Sequence, residues 1–263
     1  MEHKCNKFES MDEEDNKQKG IGKFVVRGDT HGEEGVFIHL QDENLDTLDE
    51  DDILFVTGDF GYCWDDSFRE RKFRRYMAED LKFTICFVDG NHENFDLLNS
   101  YPVEMWNGGK VHIIERDKEG TPKLIHLMRG QVYEISGKKI FSFGGGDSRD
   151  KWMRREGFSW WPQEMPTDDE KVEAIGNLKK NFNKVDYILT HAAPEYIMRL
   201  SYPDPNRDEA PLNNFLQWIK DEVEYEHWYF GHLHLDRDYL DNITCCLQRV
   251  RNMADNSFVG EEE

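Results

Sequence analysis

Three short apolar segments near the start of the chain lead into a glycine that is followed directly by a side chain able to bind a metal. The segments are residues 23–27 before Asp29 and His31, residues 52–57 before Asp59, and residues 83–88 before Asn91. Stretches with helical spacing of apolar residues separate them, so strand, ligand and helix recur about every thirty residues, the length of a βαβ unit. Crossovers of one hand place such loops at one edge of a mostly parallel sheet. The spacing therefore predicts an α/β fold with candidate ligands at the carboxyl ends of its strands.

The second half of the chain adds two strand ends that carry histidines. Residues 185–190 lead into His191, and residues 228–230 lead into His232 and His234. Apolar spacing predicts helices at residues 168–182 and 210–222, and the first of these has an acidic first turn and a basic last turn. Residues 101–183 contain short strands separated by turn signals, which predicts a hairpin-rich insert, with a second sheet as one arrangement of it.

Length and composition indicate one globular domain. A chain of 263 residues with 38% hydrophobic and 33% charged residues can build one large core. We place this domain at residues 20–252, between a flexible polar tail at 1–19 and a C-terminal tail at 253–263. The chain has no apolar run of about 18 residues, no signal-peptide core at its start, and no Cys-x-x-Cys pair among its five cysteines. These features predict a cytoplasmic protein with reduced thiols and no membrane partner.

The formal net charge of −21 restricts what the chain can bind. Such a field repels a polyphosphate backbone, so we expect no extended contact with nucleic acid. A small phosphorylated substrate remains compatible if bound cations reverse the charge locally. The sequence does not indicate an oligomeric state.

Seven candidate ligands are more than one tetrahedral ion needs, and they suit two divalent metal ions. They are Asp29, His31, Asp59, Asn91, His191, His232 and His234. Because Asp59 lies on the central loop, we expect its carboxylate to bridge the two ions. Two divalent ions contribute four positive charges and the two aspartates remove two, which leaves a formal surplus of about +2 to attract a phosphate. The mixed ligand set predicts manganese, with iron or zinc as alternatives.

His92 follows Asn91 directly, and adjacent side chains point in different directions. If Asn91 binds a metal, His92 is free to protonate a departing oxygen or to stabilise its charge. The alternative is a histidine at the start of a helix that bonds to its own loop. We predict the catalytic role because the neighbouring pattern is specific.

The ordered motifs resemble the calcineurin-like metallophosphoesterase superfamily. The matching pieces are Gly28-Asp29-Thr30-His31-Gly32, Gly58-Asp59, Gly90-Asn91-His92-Glu93, Thr190-His191 and Gly231-His232-Leu233-His234. The resemblance implies a four-layer αββα sandwich of two mixed β-sheets flanked by helices, with a dinuclear site at the carboxyl ends of the strands. It also implies two ligand sets, Asp29, His31, Asp59 and His234 for one ion and Asp59, Asn91, His191 and His232 for the other. His92 would then serve the substrate.

Two positions separate the chain from the serine/threonine phosphoprotein phosphatase branch of that superfamily. The branch carries an aspartate and an arginine shortly after its second-motif aspartate, where this chain has Tyr62 and Cys63. The carboxylate that orients the catalytic histidine in the branch, and one arginine that grips phosphate, are therefore missing. Asp65 or Asp66 are candidates to replace the carboxylate. Residues 126–132 and 160–166 look like segments of bacterial members of the superfamily whose substrates are generally unassigned.

Three arginines follow a glycine run at 144–146 and are candidate phosphate ligands. Arg149, Arg154 and Arg155 can form a bidentate clamp, although a solvated basic segment is the alternative. Together these features predict hydrolysis of phosphomonoesters or phosphodiesters by a metal-bound hydroxide, with His92 assisting the leaving group. A metal-dependent nuclease and a non-catalytic scaffold that retains the fold are the alternative functions.

Overall fold

The computed structural model describes residues 22–202 and 206–260. The predicted tail at 1–19 lies outside these residues. The described part contains two mixed β-sheets, one of seven strands and one of six, which pack together with helices on their outer faces. This arrangement confirms the predicted αββα sandwich.

The bounds of the elements locate the loops that carry the candidate ligands. The first sheet contains β1 Phe24–Arg27, β2 Ile53–Val56, β3 Thr84–Phe87, β4 Val103–Trp106, β5 Gly109–Arg116, β6 Pro122–Leu127 and β13 Arg251–Asn252. The second sheet contains β7 Gln131–Ile135, β8 Lys138–Phe143, β9 Tyr187–Thr190, β10 His227–Phe230, β11 Arg237–Tyr239 and β12 Ile243–Cys245. The helices are α1 Gly35–Ile38, α2 Phe68–Glu79, α3 Phe95–Leu98, α4 Asp168–Lys180, α5 Glu195–Ser201 and α6 Ala210–Glu222, with 3-10 turns at Lys151–Met153 and Pro162–Glu164.

Strand order brings the ligand loops together. The first sheet runs β13-β1-β2-β3-β6-β5-β4, and the second runs β11-β12-β10-β9-β8-β7. In the first sheet β1, β2 and β3 are parallel neighbours, and in the second β8, β9 and β10 are parallel neighbours. Because parallel strands end on the same side, the loops after β1, β2 and β3 share one edge, as the spacing predicts. The loops after β9 and β10 share the corresponding edge of the second sheet.

Three apolar layers hold the sandwich together. One buried cluster lies between the sheets and combines Val26 and Phe55 of the first sheet with Leu189 and Tyr229 of the second. A second cluster packs α1, α2 and α3 on the first sheet, and a third packs α4, α5 and α6 on the second. Strands β1, β2 and β9 are consequently buried at every position, as expected for parallel strands covered on both faces.

The hairpin-rich stretch at 101–183 contributes strands to both sheets. Strands β4, β5 and β6 extend the first sheet, where β6 pairs with β3 in parallel. Strands β7 and β8 open the second sheet, where β8 pairs with β9 in parallel. The turn signals indicate hairpins correctly, but short-range patterns carry no information on which distant strand a hairpin joins.

Several boundaries also differ from the prediction. The helix expected after His31 covers only Gly35–Ile38, and no side chain caps its first turn. Residues 253–260 pack on the first sheet rather than forming a tail, since Met253 is buried and Val259 N–H donates to the Val250 carbonyl. In contrast, α6 has the predicted bounds. Among the described residues, no helix has the length and apolar content needed to cross a membrane.

Candidate metal centre

Four of the candidate ligands lie close enough to share one ion. Asp29, His31, Asp59 and His234 each offer a ligand atom, and these atoms lie within 4.8 Å of one another. Nε2 of His234 lies 3.2 Å from Oδ2 of Asp29 and 3.3 Å from Nε2 of His31. Two carboxylates and two imidazoles form an oxygen and nitrogen set that suits a divalent transition metal. This group matches the set that the resemblance assigns to one ion.

The remaining candidates converge on the buried ring of His191. Its Nε2 lies 3.0 Å from Oδ1 of Asn91, 3.2 Å from Nδ1 of His232 and 3.4 Å from Oδ1 of Asp59. A tetrahedral ion with bonds of about 2.1 Å holds its ligand atoms about 3.4 Å apart. The three distances measured from Nε2 of His191 are close to this value.

Asp59 lies between the two groups. Its Oδ2 is 3.9 Å from Nε2 of His31, and its Oδ1 is 3.4 Å from Nε2 of His191. The backbone N–H of His92 donates to Oδ1 at 2.8 Å and fixes the carboxylate. Burial alone would raise the pKa of Asp59, but the surrounding histidine rings lower it below its ordinary value, so the carboxylate is ionised. Its two oxygens therefore face different groups of candidate ligands.

Two glycines of the motifs allow the backbone to approach these carboxylates. A Cβ atom on Gly90 would lie 2.1 Å from Oδ1 of Asp59, and one on Gly231 would lie 2.2 Å from Oδ1 of Asp29. Any larger residue would displace the carboxylate, since these distances are far inside van der Waals contact. The glycines therefore set the positions of both acidic ligands.

Several candidate ligands have left-handed backbone conformations, which are uncommon for non-glycine residues. The φ angles are 47° at His31, 47° at Asp59, 66° at His232 and 52° at His234. Loop hydrogen bonds hold them, because His31 N–H donates to the Asp59 carbonyl at 2.7 Å and His232 N–H donates to the Asp29 carboxylate at 3.2 Å. Such conformations concentrate at functional sites, where the surrounding structure holds them in place.

Two histidines have partners that fix which ring nitrogen faces the centre. Nδ1 of His191 lies 2.8 Å from the Thr57 carbonyl, which can only accept, so Nε2 carries the free lone pair. Nε2 of His232 lies 2.8 Å from Oε1 of the buried Glu209, so its Nδ1 faces His191. Burial alone would raise the pKa of Glu209, but the His232 ring lowers it to about 2. This carboxylate and histidine pair has the arrangement that orients metal ligands in many proteins.

Asn91 is oriented in a similar way. Its Nδ2 donates to Oγ of Ser148 at 3.1 Å, and Ser148 Oγ donates to Oε2 of Glu164 at 2.6 Å. The amide oxygen is therefore left to face His191. The sequence pattern did not single out Ser148, Glu164 or Glu209. Ser148 follows β8, so the rule of strand ends could have found it, whereas a glutamate in a loop carries no such signal.

Arg154 holds the side chain of His92. Nη1 of Arg154 lies 2.9 Å from its Nδ1, and Nε of Arg154 donates to Oδ1 of Asp150 at 2.7 Å. Since arginine only donates, Nδ1 of His92 accepts and the ring hydrogen lies on Nε2. Burial also lowers the pKa of His92, which favours this neutral ring.

The two aspartates considered as replacements for the missing carboxylate have other partners. Asp65 accepts from the backbone N–H of Ser67 at 2.8 Å, and Asp66 pairs with Arg74 at 2.6 Å. The His92 ring instead bonds to Arg154.

The other two candidate arginines are exposed, and each lies over an aromatic ring. Arg149 stacks over the ring of Tyr202 at 4.8 Å and lines a cavity of about 260 Å³ together with Asp59, Asn91 and His232. Arg155 lies over Phe158 at 5.9 Å. The structure thus brings Arg154 and Arg149 to the centre and leaves Arg155 at the surface.

The family model for calcineurin-like phosphoesterase matches residues 22–236. No curated protein sequence matches the chain in a sequence search. The matched range includes all seven candidate ligands and His92, in agreement with the convergence of their loops. The resemblance seen in the motifs is thereby confirmed. The chain belongs to the calcineurin-like phosphoesterase family and is a metal-dependent hydrolase that acts on phosphoester bonds.

Proposed function

We propose that the chain hydrolyses phosphoesters of small organic molecules with two divalent ions, manganese in preference to iron or zinc. The observation that carries the proposal is the position of Asp59, whose two carboxylate oxygens face different ligand groups. One ion would be held by Asp29, His31, Asp59 and His234, and the other by Asp59, Asn91, His191 and His232. When bound, the ions would polarise the phosphoryl group and lower the pKa of a water molecule.

His92 would act on the leaving group. Arg154 bonds to its Nδ1, which leaves the Nε2 hydrogen as the group that can donate to a departing oxygen. The backbone N–H of His92 also holds Asp59, so the donor and the bridging carboxylate are fixed relative to each other. Arg149 lines the same cavity as Asp59 and could bind a phosphoryl oxygen. We assign no substrate contact to Arg155.

The alternative functions have less support. A nuclease would need a path for a polyanion across a chain with a net charge of −21. A scaffold without catalysis would not need the ligand set, the strained loops and the oriented histidines to occur together. A location in the cytoplasm is part of the same proposal.

Turnover of chromogenic esters tests the function. Protein loaded with manganese should hydrolyse 4-nitrophenyl phosphate, bis(4-nitrophenyl) phosphate or both, a chelator should remove the activity, and added manganese should restore it. Asp59→Asn should lower kcat by at least about 100-fold, whereas Asp168→Asn, at a carboxylate that is 97% exposed, should change little. Metal analysis that finds bound ions but no turnover of either ester would contradict the proposal.

A further inference from the structure

A second cavity, of about 500 Å³, adjoins the metal centre. His92 and Arg154 line both this cavity and the smaller one that contains Asp59 and Asn91. His31 also borders the larger cavity. The two cavities therefore share a border at His92, and a leaving group that extended across this border from the centre would lie beside the His92 ring.

Trp64 forms part of the wall of the larger cavity. Side chains hold its backbone through hydrogen bonds at both the N–H and the carbonyl. Its N–H donates to Oε1 of Glu70 at 2.6 Å, and its carbonyl accepts from Nδ2 of Asn94 at 2.6 Å. The indole meets the edge of the buried Trp161 ring, with centroids 5.5 Å apart and planes at 87°. Trp161 is itself held by a hydrogen bond from its Nε1 to Asp96 at 2.8 Å. Trp64 is therefore a partly exposed aromatic surface whose position is fixed before any ligand arrives.

The cavity is poorly suited to a second phosphate. The arginines among its described lining residues already have carboxylate partners, since Arg69 forms two 3.0 Å bonds with Glu34 and Arg154 bonds to Asp150 at 2.7 Å. Asp65 at its rim is exposed and adds a negative charge. The partly exposed Phe73 contributes apolar ring surface, and the buried ring of Tyr62 packs against it. An uncharged group with a flat ring fits this lining better than an anion does.

We propose that this cavity is the leaving-group subsite and that it binds a flat, uncharged ring against Trp64, which makes aryl or nucleoside phosphoesters the substrate class. The inference rests on the proposed function, because it places the phosphoryl group at the metal centre. Trp64 follows the two positions where the phosphoprotein phosphatase branch has its aspartate and arginine. The same loop that lacks those groups thus supplies a ring-binding surface.

Binding of two phosphonates that cannot be hydrolysed tests the subsite apart from catalysis. Titration calorimetry on the manganese-loaded protein compares phenylphosphonate with methylphosphonate, which share the anionic head and differ in the ring. We expect phenylphosphonate to bind about tenfold tighter or more, as ring stacking on tryptophan commonly provides. Adenosine 5′-monophosphate and 4-nitrophenyl phosphate, compared by KM, then distinguish a nucleoside from a simple aryl group.

Variants at Trp64 complete the test. Trp64→Ala should remove the preference for phenylphosphonate while leaving methylphosphonate binding within about twofold, and Trp64→Phe should retain most of the preference. Trp64→Leu keeps an apolar side chain beside Trp161 and replaces the alanine variant if that one does not fold. Phe182→Ala, at a ring that is 90% exposed, is the matched control.

Two results would overturn the subsite alone. One is equal affinity of the wild type for the two phosphonates, and the other is a preference for phenylphosphonate that survives in both Trp64→Ala and Trp64→Leu. If neither phosphonate binds and neither ester is hydrolysed, both the subsite and the proposed function are overturned.

Discussion

Arg154 donates from Nη1 to Nδ1 of His92 at 2.9 Å, and this bond determines which proton the ring can offer. A carboxylate at the same place would accept from Nδ1–H and would stabilise a positively charged ring. An arginine does the opposite, because it accepts nothing and disfavours a second positive charge. His92 is therefore arranged as a neutral donor through Nε2.

Replacing Arg154 should weaken catalysis through His92. We expect Arg154→Ala to lower kcat about tenfold with little change in KM, because the hydrogen bond from Nε2 to the departing oxygen loses part of its effect when the ring can rotate. The loss should be larger for an alkyl phosphate than for 4-nitrophenyl phosphate, whose leaving group carries its negative charge more easily. Arg154→Lys should restore part of the rate.

Arg155→Ala is the matched control for that experiment, since Arg155 is the next residue but is exposed and lies over Phe158. It should retain the wild-type kcat. An equal loss for both leaving groups in Arg154→Ala would show that the arginine does not act through the donor function of His92.

Glu209→Gln should weaken metal binding. Glu209 holds Nε2 of His232 at 2.8 Å and thereby turns Nδ1 toward His191. Removing such an outer partner commonly costs 10- to 100-fold in metal affinity. Calorimetric titration of the metal-free protein with manganese should show one of two binding events weakened by about this factor. Glu224→Gln, at a side chain that is 71% exposed, should leave both events unchanged. An unaltered titration in Glu209→Gln would contradict the role assigned to this carboxylate.

The candidate ligands of this site could be located from the sequence because each one follows a strand. Asp29, Asp59 and His191 come directly after strand segments whose apolar character is visible locally, and parallel pairing then brings their loops together. Glu209 could not be predicted in this way. It lies in a loop before α6, and only the packing of that helix on the second sheet brings its carboxylate to His232.

The pairing of strands that are far apart in the sequence could not be predicted either. The strand β6 joins β3 in parallel although some 40 residues separate partners such as Ile85 and Leu124. Nothing in the turn signals around β6 distinguishes this arrangement from a separate sheet, because the choice depends on which buried face has room for the strand. The role of Arg154 was open for the same reason, since a basic segment near a glycine run is compatible with solvent or with the site.

Breaking the buried ion pair beneath the centre should cost stability. Asp89 and Arg129 are both buried, and Nη2 of Arg129 lies 2.5 Å from Oδ2 of Asp89. Arg129→Met would leave the Asp89 carboxylate buried without its cation, which typically destabilises a protein by about 3–5 kcal/mol. Urea unfolding of the metal-free protein should show this loss, and Asp89→Asn added to Arg129→Met should recover part of it.

The exposed pair of Lys82 and Asp49 provides the comparison for that prediction. Its atoms are 3.4 Å apart, and the side chains are 65% and 78% exposed. Lys82→Met should change the free energy of unfolding by no more than about 1 kcal/mol. Similar losses for Lys82→Met and Arg129→Met would show that burial does not set the strength of the inner pair.

Acidification should destabilise the metal-free protein through His112. Burial lowers the pKa of His112 to about 4, and its Nδ1 lies 3.0 Å from Nδ1 of His126. An unfolded chain has an ordinary histidine pKa of about 6.5, so between these values the unfolded state binds the extra proton. Stability is therefore intact above about pH 6.5 and falls as the pH drops toward 4, with a loss from this residue of about 2 kcal/mol at pH 5.

The measurement that checks this is the difference between the free energies of unfolding at pH 7 and pH 5, taken with a chelator present so that metal release does not contribute. His112→Asn does not titrate in this range, so its difference should be smaller than that of the wild type by about 2 kcal/mol. Any loss of absolute stability in the variant cancels because each protein is compared with itself. His39→Asn, at an exposed histidine, should keep the wild-type difference. If the two variants lose the same stability between these pH values, the buried ring of His112 is not the group that takes up the proton on unfolding.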